Sequence, residues 1–84
     1  MDIETSMASL TFPEIVAIFE EVFQYTGPVT AEITPDDVER WDSLQHIALI
    51  QMLETTFSIK LSMDEMMEIR SVADIEKVLR RHGA

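Results

Sequence analysis

Apolar residues at Ile15, Ile18, Phe19, Val22 and Phe23 follow an i, i+3, i+4, i+7, i+8 series, which lines one face of a helix. Gly27-Pro28 supplies the stop signal for that helix. Periodicity resumes at Ser43, where Leu44, Ile47, Ile50, Leu53 and Phe57 are expected to form an inward stripe, widened by Leu49 and Met52. This second helix should end near Thr56 to Ser58, where a β-branched, alternating stretch leads to Leu61. A short third helix is expected over about 63–69 and a fourth over about 72–81, the latter turning Val72, Ile75, Val78 and Leu79 inward.

The starts of these helices are marked independently of their periodicity. Thr11 to Glu14, Asp42 to Gln45, Ser62 to Glu65 and Ser71 to Asp74 each place a short polar side chain three positions before an acid or amide. At that spacing the two side chains can satisfy orphan N–H groups of a first turn reciprocally. Four such signals predict four helices and an all-α bundle. Between the first and second helices, residues 26–41 hold two prolines and no sustained period, and read as a long ordered loop. Thr34-Pro35 can start a turn in it, and Val29, Ile33, Val38 and Trp41 are the residues expected to pin it down. A loop of about 15 residues in so small a domain is either functional or well packed.

Length and charge narrow what such a bundle can do. Eighty-four residues make one domain, and a chain of this size buries about 60–65% of its unfolded surface, which leaves little room for a deep catalytic cleft. Residues 1–10 are expected to be an N-terminal segment open to disorder, and 11–84 the folded domain. The net charge of -10 repels nucleic acid and steers basic partners. Ten acids against one base (Arg40) give -9 in residues 1–42, and six against five give -1 in residues 43–84. The basic residues Lys77, Arg80 and Arg81, with His82, cluster at the end of the fourth helix, where they complement its dipole. The chain has no cysteine, so no disulfide and no thiolate metal site. No signal-peptide pattern and no membrane-spanning run is present, which makes a cytoplasmic monomer the expectation.

The candidate chemistry is concentrated in ERWDSLQHIALI. With Asp42 as the N-cap, Ser43 becomes the first helical residue and its hydroxyl points outward, beside unpaired backbone donors at the positive end of the helix dipole. A phosphate esterified there would be favoured by roughly 0.5–2 kcal/mol. A plain capping hydroxyl is the simpler account of the same residue. An enzyme built on Ser43, His46 and Asp42 lacks an oxyanion site and a Gly-x-Ser-x-Gly elbow. The carboxylates Asp36, Asp37, Glu39 and Asp42 lack the spacing of a calcium loop.

Asp-Ser-Leu at the mouth of the second of four helices, after a long structured loop in an acidic chain, resembles the acyl and peptidyl carrier proteins that bind 4'-phosphopantetheine. The resemblance runs through WDSLQHIALIQMLETTF, the Ile59-x-Leu61 pair and Ser71-Val-x-Asp-Ile75, covering roughly 11–79. It implies a protein without chemistry of its own. A phosphopantetheinyl transferase would move the arm from coenzyme A onto Ser43, with Asp42 and Leu44 supporting recognition, and the arm's thiol would carry an acyl or aminoacyl group. A loading ligase, ketosynthase or acyltransferase would be the further partners, with no nucleic acid and no membrane. Leu49, Ile50, Leu53, Leu61 and Ile69 are plausible lining for an acyl chain, or plain core.

Against that pattern the second helix is poor in acids. Its expected outward positions are Gln45, His46, Ala48, Gln51, Glu54 and Thr55, of which Glu54 alone is acidic. Met63, Met66 and Met67 stand in the third helix where polar residues are common in the family. Those methionines, Gln45, His46, Ala48, Gln51 and Glu54 of the second helix and Trp41 are the candidate docking positions, and contact through them would be partly apolar. Trp41 and His46 make the chain more similar to discrete carriers of polyketide, lipid or other specialised biosynthesis than to the housekeeping fatty acid carrier. Two alternatives remain: an aminoacyl or peptidyl carrier, and an interaction module that kept the fold without the arm.

Overall fold

A computed structural model describes residues 12–84 of the chain. The N-terminal segment 1–10 and the start signal at Thr11 lie outside the described residues. Four helices follow in order: α1 (Glu14–Phe23), α2 (Ser43–Phe57), α3 (Met63–Glu68) and α4 (Val72–Arg81). There is no strand among the described residues, and no helix among them is long and apolar enough to cross a membrane.

The core forms where the helical stripes meet. Ile15, Ile18, Phe19 and Phe23 of α1 face Leu49, Ile50 and Leu53 of α2 and Val72, Ile75, Val78 and Leu79 of α4, all buried. Ile69, at the end of α3, joins them. Two expectations about this core need correction. Leu44 is 75% exposed and Ile47 48%, so neither belongs to the inward stripe. The reason is geometric: an α-helix turns about 100° per residue, so an i, i+3 series drifts by about 60° at each step and puts Leu44 and Leu53 on opposite faces. The stripe that packs is Leu49, Ile50 and Leu53, with Met52 and Phe57 partly buried beside it.

The second correction concerns the end of α1. The helix stops at Gln24, whose backbone is left-handed (φ 54°, ψ 36°), before the Gly27-Pro28 signal is reached. Gly27 instead allows a close approach: a Cβ there would meet the Tyr25 hydroxyl oxygen at 2.9 Å. That hydroxyl donates to the Pro28 carbonyl at 2.9 Å, closing a compact turn.

The long loop is ordered by hydrogen bonds at both levels. Thr34 and Asp37 clasp a turn around Pro35: the Thr34 N–H donates to Asp37 Oδ2 at 3.0 Å and the Asp37 N–H to the Thr34 carbonyl at 2.9 Å. The carbonyls of Ala31 and Ile33 accept, each at 2.9 Å, from the N–H groups of Ala73 and Val72. The loop backbone therefore serves as a cap for the first turn of α4, whose N–H groups have no partner within their own helix. Val38 is 1% and Trp41 5% exposed, while Val29 and Ile33 are partly buried.

The predicted caps form with different completeness. Ser62 and Glu65 make the full reciprocal box at 3.1 Å in both directions. Asp42 accepts from the Gln45 N–H at 2.8 Å, but the Gln45 side chain turns away to donate to the Val22 carbonyl of α1 at 3.0 Å. Ser71 accepts from the Asp74 N–H, and Asp74 reaches the N–H of Arg70. The basic end of α4 does more than complement a dipole: Arg81 pairs with Glu68 of α3 at 2.9 Å and His82 meets Glu65 at 3.0 Å. Since α3 has no fully buried residue, this polar clamp is one of the few things holding it.

Two outcomes follow for stability. Asp42→Ala removes the cap of α2 and should lower the unfolding free energy by about 1 kcal/mol in urea titrations. The carboxyls of Glu65 and Glu68 are both lowered from 4.5, the first mainly by the Ser62 N–H and His82, the second mainly by Arg81. A depressed folded-state value means the contribution is complete above the unfolded value and is lost as pH falls through the folded one. Stability should therefore decline below about pH 4.5 more steeply in the wild type than in Glu68→Gln, as followed by denaturant titration across acid pH.

Candidate functional site

The site assembles at the N-terminus of α2. The loop delivers its last residues in a defined conformation: Trp41 is sealed between helices and Asp42 takes the extended N-cap geometry (φ -108°, ψ -176°). Ser43 is then the first residue of α2, and it is exposed. No hydrogen bond among the described residues engages its hydroxyl. The first-turn N–H of Gln45 is taken by Asp42, but those of Ser43 and Leu44 point forward with no intrahelical acceptor. An oxygen placed here stands at the positive end of a 15-residue helix.

Ser43 and Asp42 also form the mouth of a groove of about 400 Å³. Pro35 and Trp41 wall it on the loop side, His46 and Ile47 on the α2 side, and Met66, Met67 and Ile69 on the α3 side. The lining is mostly apolar, so the groove offers shelter to a hydrocarbon-like group attached near its mouth. Sequence periodicity put Ile47 in the core and did not mark Pro35 or Ile47 as site residues. The signal was present for Ile47, which lies four residues after Ser43 and hence on the same helical face.

His46 is not a solvated rim residue. The Trp41 indole N–H donates to its Nδ1 at 3.0 Å, and its Nε2 lies 2.9 Å from the Met66 carbonyl oxygen. Indole can only donate and a carbonyl can only accept, so both contacts are satisfied by one species, neutral imidazole with its proton on Nε2. The two rings are nearly parallel (12°) with centroids 6.3 Å apart, an arrangement compatible with an in-plane N–H···N bond. With both nitrogens engaged, His46 is not a base for Ser43, and the local serine–histidine–aspartate arrangement does not form. Among the described residues no group of acids and histidines could hold a metal ion.

The candidate docking positions separate into two sets. Trp41 is buried against Phe19 and Phe23, its ring 5.4 Å from each, and is a packing residue. Gln45 and Glu54 spend their side chains internally, Gln45 on Val22 and Glu54 by accepting from the Leu61 N–H at 2.9 Å. Met66 is half-buried on the core, and Ala48 is half-buried in a shallow groove shared with Glu21 of α1. What remains open of them is Gln51, Met63 (66% exposed) and Met67 (65%), joined by Leu44, Ile47 and Thr55. The candidate acyl-pocket residues fare similarly: Leu49, Ile50 and Leu53 are core, Leu61 packs partly against it, and of the five only Ile69 lines the groove.

Comparison with known proteins points the same way as the geometry. The family model for the phosphopantetheine attachment site matches residues 13–79. No curated protein sequence matches the chain. Among solved structures, the holo acyl carrier protein of Geobacter metallireducens is similar at 30% identity and a TM-score of 0.73, over 81% of this chain and 79% of that one. A Mycobacterium tuberculosis protein described as an acyl carrier protein is similar at 26% identity and a TM-score of 0.74, over 82% and 93% of the two chains. An exposed serine opening the second helix, in a bundle matched over most of its length, places this chain in the phosphopantetheine-binding family of acyl carrier proteins, non-catalytic carriers to which it belongs.

Proposed function

We propose that this chain is a discrete carrier of acyl groups in polyketide, lipid or other specialised biosynthesis, with 4'-phosphopantetheine attached covalently at Ser43. One observation carries the reading: an unengaged hydroxyl stands at the positive pole of α2 and opens directly onto an apolar groove. The residues fit the group, because the free N–H donors of Ser43 and Leu44 suit a phosphate and the groove suits an apolar extension beyond it. When bound, the arm supplies the thiol that holds the cargo as a thioester.

The chain's own contribution is presentation. Ser43 Oγ displaces the nucleotide of coenzyme A at the pantetheine-side phosphorus, a P–O bond forming as the pyrophosphate bond breaks and adenosine 3',5'-bisphosphate departs. The proton from the hydroxyl passes to the transferase, since His46 is committed to Trp41 and Met66. Asp42 holds the first turn in place, and Leu44, three-quarters exposed beside the serine, is a contact for the incoming enzyme.

Partner docking on this reading is largely apolar. The face around Ser43 shows Leu44, Ile47, Met63 and Met67, and the lone acid of α2, Glu54, is occupied by the Leu61 N–H. The overall charge of -10 still steers basic enzymes from a distance. The apolar groove favours acyl over aminoacyl cargo.

Incubation with coenzyme A and a promiscuous transferase should add the mass of one phosphopantetheine, and Ser43→Ala should abolish the gain. Failure with several transferases would instead favour an interaction module that is never primed. Leu44→Ala should reduce kcat/KM for priming several-fold without loss of stability, and raising ionic strength should reduce it less than for a carrier that docks through an acidic helix.

A further inference from the structure

The groove beside Ser43 stops short of the core. Trp41, His46, Met66 and Ile69 are among its lining, whereas Leu49 and Leu53, which follow His46 at i+3 and i+7 on the same face of α2, are 0% exposed and take no part in it. His46 is the groove-lining side chain of α2 that shares their face. It ties the loop to α2 through Trp41 and ties α2 to α3 through the Met66 carbonyl. On the groove side, this is the bond that spans the seam between α2 and α3.

Apart from the apolar contact of Met66 and Ile69 with the core, that seam has little else to close it. α3 is six residues long with no fully buried residue, and its clamp to α4 runs through Glu65 and Glu68 to Arg81 and His82 instead of to α2. Moving the imidazole aside would leave the half-buried indole N–H and the Met66 carbonyl without partners, a cost an apolar chain cannot repay by hydrogen bonding.

We propose that His46 is a specificity-determining bar: it confines an apolar acyl chain tethered at Ser43 to the surface groove and excludes it from the space around Leu49 and Leu53. The inference rests on the carrier reading of Ser43. Its consequence is a preference for short or compact acyl groups, since a groove of about 400 Å³ lies near the lower end of small-molecule pockets, roughly 300–1,000 Å³. The occupant is the protein's own cargo because the tether point is itself part of the groove's mouth.

Butanoyl, octanoyl and dodecanoyl pantetheine arms, transferred from the matching acyl coenzyme A thioesters onto methyl-labelled protein, test this. Mass spectrometry scores attachment, and methyl chemical shifts score where the chain goes. In the wild type, attached chains of every length should shift Ile47 and Ile69 and leave Leu49 and Leu53 unmoved. In His46→Ala the dodecanoyl chain should shift Leu49 and Leu53, and His46→Gln, whose amide can both accept from the indole and donate to the carbonyl, should restore the wild-type pattern. Responses of Leu49 and Leu53 in the wild type overturn the proposal. So does silence of the groove methyls at all lengths, which would leave the groove to a partner, and so does a folded His46→Ala that still keeps the long chain out. Should His46→Ala not fold, the wild-type length series and His46→Gln decide alone. Absence of any attachment to the wild type, by contrast, removes the carrier reading and the bar with it.

Discussion

The placement of Trp41 is the constraint on which the site depends. Its indole is wedged against Phe19 and Phe23 of α1 and bonded through Nε1 to His46 of α2. Each close aromatic pair contributes about 0.5–1.5 kcal/mol beyond the area it buries. That anchor fixes the last residue of a long loop, so the next one, Asp42, arrives extended and in position to cap α2. Ser43 is exposed because the residue two before it is not. The hydroxyl's availability is thus a product of packing at Trp41 and of capping at Asp42, and needs no feature of the serine itself.

A second division of labour separates α3 from the rest. The three long helices share an apolar core, whereas α3 brings to it only Met66 and the adjoining Ile69 and is otherwise held by polar contacts at its edges: the Ser62–Glu65 box, the Arg81–Glu68 pair and the His46–Met66 bond. Isolated helices of this length are not stable in water. α3 is also the wall of the groove that faces Ser43. The part of the structure nearest to any tethered cargo is therefore the part whose stability comes from directional and titratable contacts, which respond to pH and to neighbouring groups in a way that buried methyl groups do not.

Charge and surface chemistry act at different ranges. A net charge of -10 sets a long-range field, while the surface around Ser43 is built from Leu44, Ile47, Met63 and Met67. For the carrier proposed above, encounter with a basic enzyme and the final fit against it would accordingly be governed by different residues. Ten of the sixteen carboxylates precede in the chain the helix that presents the serine.

The sequence by itself determined the four helices, their order, the three N-cap side chains within the described residues (Asp42, Ser62 and Ser71), the stripes of α1 and α4, and the serine at the mouth of α2. These follow from local chemistry: a side-chain oxygen three residues before a donor, or a repeat that matches 3.6 residues per turn. Only the tertiary structure decided which face of α2 is buried, because that helix is apolar nearly all round and its own periodicity admits more than one stripe. It decided likewise that α1 ends at Gln24 and not at Gly27, that His46 is bound on both sides, and that Gln45 and Glu54 turn inward. The contacts of Gln45, Glu54 and His46 depend on partners as far as 7 to 23 residues away, and no local pattern in the chain carries the position of such a partner.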